Sequence, residues 1–119
     1  MIDDFGGFMR NKCIGFAVDI VNLYKHLCED KKEYIISKQL LRSGTSIGAN
    51  LVEAQNGISH KDFLAKVFIS LKETAETGYW IELLLKTNYI TKEEYDNINS
   101  KCQELNRLFN SITKNQRVR

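Results

Sequence analysis

Apolar residues in this chain recur at alternating steps of three and four in four separate runs, and no proline interrupts any of them. That period lines side chains along one side of an α-helix, whereas a half-buried strand would alternate at every second residue. Cys13, Ala17, Ile20, Tyr24 and Leu27 make the first seam, widened by Phe16 and Leu23. Leu40, Gly44, Ile47, Leu51, Ala54 and Ile58 make the second. The third is Leu64, Val67, Leu71, Thr74, Gly78, Ile81 and Leu85, and the fourth is Tyr95, Ile98, Cys102, Leu105, Phe109 and Ile112. No period-two pattern competes, so the fold class is all-α.

Start signals agree with the seams. Ser59 precedes Asp62, and Thr91 precedes Glu94, at the spacing with which a hydroxyl and a carboxylate cap a helix N-terminus. "CEDKKE", "NGIS" and "TNYI" supply polar or short breaks, the second with a glycine where a helix can end. The helices are predicted at about 8–28, 33–56, 60–87 and 92–114. Short connections make successive helices antiparallel neighbours, which gives an up-down-up-down four-helix bundle. With 119 residues, 43% of them hydrophobic, the chain forms one domain over 1–119 with a short, flexible, basic C-terminal tail.

Several functional classes drop out on composition. No apolar run approaches the roughly 18 residues of a membrane span, and "MIDDFGGFMRNKC" lacks the layout of a secretory signal, so a cytoplasmic protein is expected. Cys13, Cys28 and Cys102 are odd in number, without C-x-x-C spacing, and distant from His26 and His60, which points to reduced core thiols and no metal site. His26 has no nucleophile or carboxylate motif beside it and reads as an ordinary surface or packed residue. A net charge of +2 does not identify a nucleic-acid binder, but the C-terminal "KNQRVR" carries three bases and no acid.

The stretch "LLRSGTSIGANLVEAQNG", residues 40–57, decides how the middle of the chain is used. A phosphate loop needs Gly-Lys-Ser/Thr, and no lysine follows "GTSIG". The helical seam instead runs straight through Gly44. Mid-helix glycine costs roughly 1 kcal/mol relative to alanine, so Gly44 and Gly48 need a packing reason. Four residues apart, and with Ala49, they leave a shallow groove for a neighbouring helix, with Phe63, Phe68, Tyr79 and Trp80 as expected occupants. Arg42, Ser46, Asn50 and Glu53 form a polar stripe on the same helix. It is either a solvated face or a hydrogen-bonded contact at which Arg42 offers its fork to a carboxylate or phosphate.

The third helix raises similar pairs of readings. Glu73 and Glu76 resemble a paired-carboxylate site, but di-metal bundles need Glu-x-x-His, which is absent, and structural ion pairing is the expected role. Tyr79 and Trp80 serve either as core filling or as subunit anchors. Leu41, Val52, Phe68 and Trp80 supply more apolar surface than one core requires, which favours a homo-oligomer with these residues and Tyr79 at the contact. Arg107, Lys114, Arg117 and Arg119 are the candidate nucleic-acid contacts, the alternative being a solvated tail.

"QLLRSGTSIGANLVEAQNGISHKDFLAKVFISLKETAETGYWIELL", residues 39–84, resembles the central signature of the bacterial 23S rRNA intervening-sequence protein family. The Q-L-x-R-S-x-T-S-I-x-A-N-x-x-E-A core, the S-x-x-D-F that follows and K-E-x-x-E-T-x-Y-W stand in the family's order and spacing, with weaker agreement toward both ends. The resemblance implies a four-helix protomer, a ring-like homopentamer and no known enzymatic activity. Relatives are encoded within insertions in large-subunit rRNA genes. Others are accessory proteins of diversity-generating retroelements that bind nucleic acid and a reverse transcriptase. That branch is notably basic, which this chain is not. The family's ribosomal-protein label does not itself establish ribosome membership.

The matching motif residues are Arg42, Ser46, Asn50 and Glu53, then Lys72, Glu73, Glu76, Tyr79 and Trp80, and the resemblance attaches no catalytic role to them. Many members carry Phe-Pro before the second helix; here "CEDKKEY" stands instead, so a differently shaped first turn is expected. The expected function is a non-enzymatic, cofactor-free oligomeric scaffold that engages RNA, DNA or a nucleic-acid-handling partner through modest basic patches. A purely protein-binding assembly module is the alternative.

Overall fold

The computed structural model describes residues 4–114. It contains α1 (Asp4–Glu29), α2 (Ile36–Gln55), α3 (His60–Lys86) and α4 (Lys92–Thr113), with no strand among the described residues. Arg117 and Arg119 lie outside the described residues.

Each boundary has a local cause. Ser59 Oγ accepts the Asp62 amide at 3.0 Å and opens α3. At the start of α4, Thr91 and Glu94 close a reciprocal box, with side chain to amide at 3.1 Å one way and 2.8 Å the other. The start of α2 differs from the predicted 33. Lys32 adopts a φ of 55°, and the Glu33 carboxylate folds inward to accept the amides of Ile35, Ile36 and Ser37 at 3.1, 2.9 and 2.7 Å. Glu33 therefore caps the helix and cannot belong to it, and Ile36 is the first helical residue.

The close of α3 was not foreseen in detail either. Asn88 takes φ 67°, its amide reaches the Leu85 carbonyl, and the Tyr89 amide reaches that of Leu84, a Schellman arrangement with asparagine in the left-handed position. Gly57, the expected terminator of α2, has no positive φ.

Contacts fix the directions. Gly44 and Gly48 of α2 face Ile20 and Cys13 of α1, so these helices run antiparallel. Ser70 and Thr77 of α3 reach Ile47 and Ser43 of α2, again antiparallel. Lys12 and Lys101 bridge α1 and α4 to Glu104 and Asp19, which closes the up-down-up-down cycle. The α2–α3 edge is the most extensive and the α1–α4 edge the slightest.

Met9, Ile20, Leu27, Leu40, Ile47, Leu51, Ile81, Leu84, Leu105 and Phe109 fill the centre. The first and fourth seams face it largely as expected. In α3 the buried line is Val67, Ser70, Thr74, Thr77, Ile81 and Leu84, while Leu64, Leu71, Gly78 and Leu85 sit half-buried at its edge. The hydrophobic period pointed to the leucines, but hydroxyls that donate to backbone carbonyls displaced them. Ile58, counted in the second seam, lies beyond the end of α2 and is 95% exposed.

Candidate functional site

The glycines of α2 are used inside the protomer. A Cβ built on Gly44 would lie 2.9 Å from both Cγ1 and Cγ2 of Ile20, and one on Gly48 3.1 Å from Cys13 Cβ. The groove is therefore filled by α1, not by Phe63, Phe68, Tyr79 or Trp80. Ala49 is exposed and takes no part in it, being turned about 100° around the helix from Gly48.

The α2–α3 edge holds a column of buried hydroxyls. Ser70 Oγ donates to the Ile47 carbonyl at 2.8 Å, the Thr77 and Ser43 hydroxyls are 2.9 Å apart, and Thr74 Oγ1 donates to the Ser70 carbonyl at 2.8 Å. Each group has a partner, so the column fixes the register of two helices without leaving a reactive group exposed.

The polar stripe of α2 runs along its surface. Ser46 Oγ donates to the Arg42 carbonyl at 2.6 Å, and Asn50 Nδ2 to the Ser46 carbonyl at 2.9 Å. Glu53 pairs with Lys66 of α3 at 2.8 Å. Only the Arg42 guanidinium, which is exposed, has no hydrogen bond or ion pair among the described residues. Lys38, one turn earlier on the same face, is likewise exposed, and Lys31 and Lys32 precede it at the same end of the bundle. These four cations are exposed toward one end, beside the exposed acids Glu29 and Asp30, and Arg107 and Lys114 are exposed toward the other.

The outer sides of the four helices are unlike. Those of α2 and α4 are polar. On α1, Phe8, Ile14 and Val18 stand 44%, 47% and 53% exposed, with Gly7 and Gly15 among them; a Cβ on either glycine would meet nothing within 4 Å. On α3, Phe68, Lys72, Ala75 and Tyr79 follow at steps of four, three and four, with Ile69 beside them and Tyr79 60% exposed. Tyr79 meets Trp80 edge to face at 4.9 Å between ring centroids. The Trp80 indole donates to Glu76 at 3.0 Å and its ring is half-buried against the core. Of the other proposed interface residues, Leu41 packs against the core and Val52 is half-buried.

Glu76 is thus an acceptor for an indole, and neither it nor Glu73 makes the ion pair expected of them among the described residues. Ionic contacts concentrate on the α1–α4 edge. Lys12–Glu104 measures 3.1 Å and Lys101–Asp19 2.6 Å. His26 lies 2.7 Å from Asp30 and 3.7 Å from Glu94. The α1 members Lys12, Asp19 and His26 fall at heptad spacing, which is the pattern in the sequence that marks this edge. The first two pairs cross a shallow groove of about 420 Å³ between α1 and α4.

Burial pushes the Cys13 thiol up to about 12 and that of Cys102 to about 11. Both stay protonated at neutral pH and behave as packing groups. No group of three or more His, Cys, Asp or Glu that could hold a metal ion occurs among the described residues.

In class the chain is an all-α four-helix bundle with glycine-mediated helix contacts. Within that class the sequence pattern of the 23S rRNA-intervening sequence proteins matches residues 9–111, and the chain belongs to that family. It is similar to the crystal structure of a protein of unknown function from the S23 ribosomal protein family of Bacteroides thetaiotaomicron. The two share 54% identity over 89% of this chain and 98% of that one, with a TM-score of 0.88. A search of curated proteins returned no match. No helix among the described residues is long and apolar enough to cross a membrane.

Proposed function

We propose that this protein is a non-enzymatic, cytoplasmic, self-associating scaffold that engages nucleic acid, or a nucleic-acid-handling partner such as a reverse transcriptase, through basic patches repeated around a homo-oligomer. The observation that carries the reading is the presence of apolar outer faces on α1 and α3 of a bundle whose core is already filled. Several copies multiply a weak charge: Lys31, Lys32, Lys38 and Arg42 at one end, and Arg107 and Lys114 at the other, each recur once per subunit. Linked weak contacts act together through effective concentration even though one chain carries only +2. A pentamer is the assembly that the family resemblance favours.

Binding of this kind is electrostatic and poorly sequence-specific, since it rests on phosphate neutralisation and not on base edges. Titration with a structured RNA tests it. Affinity should fall steeply between about 50 and 200 mM salt, and removal of residues 114–119 should flatten that slope. A slope that survives truncation moves the site to the Lys38–Arg42 region. Failure to bind RNA or DNA at low salt overturns the nucleic-acid reading and leaves a protein-binding assembly module.

A further inference from the structure

We propose that the groove between α3 and α4 holds an extended segment of a partner protein and seats an arginine side chain of that segment against Glu82. The inference stands apart from the nucleic-acid reading, because it uses none of the basic residues. The groove measures about 380 Å³, with Tyr79 and Glu82 of α3 and Tyr95, Asn99, Gln103 and Asn106 of α4 along its walls.

Its depth comes from Ala75 and Gly78 on the α3 side. A Cβ on Gly78 would lie 4.0 Å from Cys102 Sγ, an ordinary contact, so packing within the protomer does not require glycine there. The polar groups mark the groove as a site. Asn50, Asn56 and Asn110 each donate to a carbonyl one turn earlier on their own helix. Asn99, Gln103 and Asn106 do not: their side-chain amides, like the Glu82 carboxylate, have no hydrogen bond or ion pair among the described residues. Asn99 and Asn106 are nonetheless half-buried.

This chemistry selects the ligand. Among the described residues that line the groove Glu82 alone is charged, which disfavours phosphate and favours a cation. Lys92, whose ammonium lies 5.2 Å from the Tyr95 ring centroid, is paired with Asp96, and Lys86 stands outside the groove. A guanidinium is planar, stacks on a tyrosine ring and forks onto a carboxylate, whereas an ammonium offers only a point charge. Each amide supplies a donor and an acceptor, which matches a peptide group in both directions. Asn99 and Gln103 are one helical turn apart, about 6 Å along the axis. An extended chain turns its peptide groups to the same side every 6.7 Å or roughly so, which fits that spacing. Because α3 and α4 run antiparallel with Gly78 facing Cys102, Glu82 falls at the Tyr95 and Asn99 end of the groove. The arginine sits there and the backbone of the segment continues over Gln103 and Asn106.

The probe is the peptide N-acetyl-Gly-Ser-Arg-Ser-Gly-amide carrying a fluorescent label, titrated by anisotropy against the wild-type protein in its native assembly. Counterparts with lysine or citrulline in place of arginine provide the comparison. The arginine peptide should bind, the lysine peptide more weakly and the citrulline peptide not measurably. Glu82→Gln should weaken binding of the arginine peptide by about tenfold or more, since it removes a charge-assisted hydrogen bond. Gln103→Ala should also weaken it. Glu82 and Gln103 are both exposed, so neither change disturbs the core, and an unchanged circular-dichroism spectrum checks this. Glu93→Gln, an exposed acid outside the groove, should leave the affinity unaltered. Equal binding of the citrulline or lysine peptide overturns the inference, as does equal weakening by Glu93→Gln or full binding by Glu82→Gln. An arginine peptide that fails to bind at millimolar concentration overturns it too. None of these outcomes touches the RNA titration, whose result depends on other residues.

Discussion

Gly44 of α2 lies so close to Ile20 of α1 that a single added carbon would stand 2.9 Å from two of the isoleucine's carbons. Ile20 is wholly buried and β-branched, so it has no free rotamer to escape into. Gly44→Ala should therefore destabilise the bundle by about 1–3 kcal/mol through overpacking, against a helix-propensity gain of roughly 1 kcal/mol. Thermal melts of Gly44→Ala, Ile20→Ala and the double variant measure it. The double variant should be destabilised by less than the sum of the singles; strict additivity would mean the two residues do not meet.

Thr77→Val removes a hydroxyl but keeps the shape, leaving Ser43 Oγ beside a methyl group in the buried column between α2 and α3. A loss of about 1 kcal/mol is expected in urea unfolding. Ser43→Ala should cost a similar amount, and the pair together clearly less than twice that. No loss in Thr77→Val would show that Ser43 finds another partner.

Glu33 gives the protein an acid-sensitive joint. Burial by itself opposes ionisation of this carboxyl, but the amides of Ile36, Ser37 and Ile35 outweigh it and hold the group below its ordinary 4.5. A carboxyl with a lowered folded-state pKa contributes stability above the unfolded value, and that contribution disappears as pH falls through the folded value. Glu33→Gln should thus be less stable than wild type at pH 7, by about 1–3 kcal/mol. The gap should close below pH 4.5. Equal melting temperatures at pH 7 would contradict the capping role.

The α1–α4 edge should be held weakly by its ion pairs. Lys12 and Glu104 are both more than a third exposed, so solvent screens them. Lys12→Ala and Lys101→Ala should each cost only about 0.2–1 kcal/mol, with the difference shrinking in high salt. A larger, salt-independent loss would mean these side chains act through packing of their stems.

The seams made the fold legible because in α1, α2 and α4 the residues at three-four spacing are largely the ones that turn to the core. In α3 the period misled by one position: Leu71 and Leu85 fit the pattern, but Ser70 and Thr77 find carbonyl and hydroxyl partners on neighbouring turns and across α2, which no periodicity encodes. Glu33 was invisible for a related reason, since its cap depends on the positive φ of Lys32. The Gly44–Gly48 stretch was readable as a close approach, but its partner helix was not, because several bulky residues fitted equally well. Gly7, Ile14, Gly15 and Val18 were overlooked because they stand outside every seam.

Sedimentation equilibrium of the wild-type protein at micromolar concentration bears most directly on the central claim that this bundle works as an assembly. A mass several times 13.8 kDa is expected, falling toward one protomer only on dilution. A clean monomer across that range would contradict it.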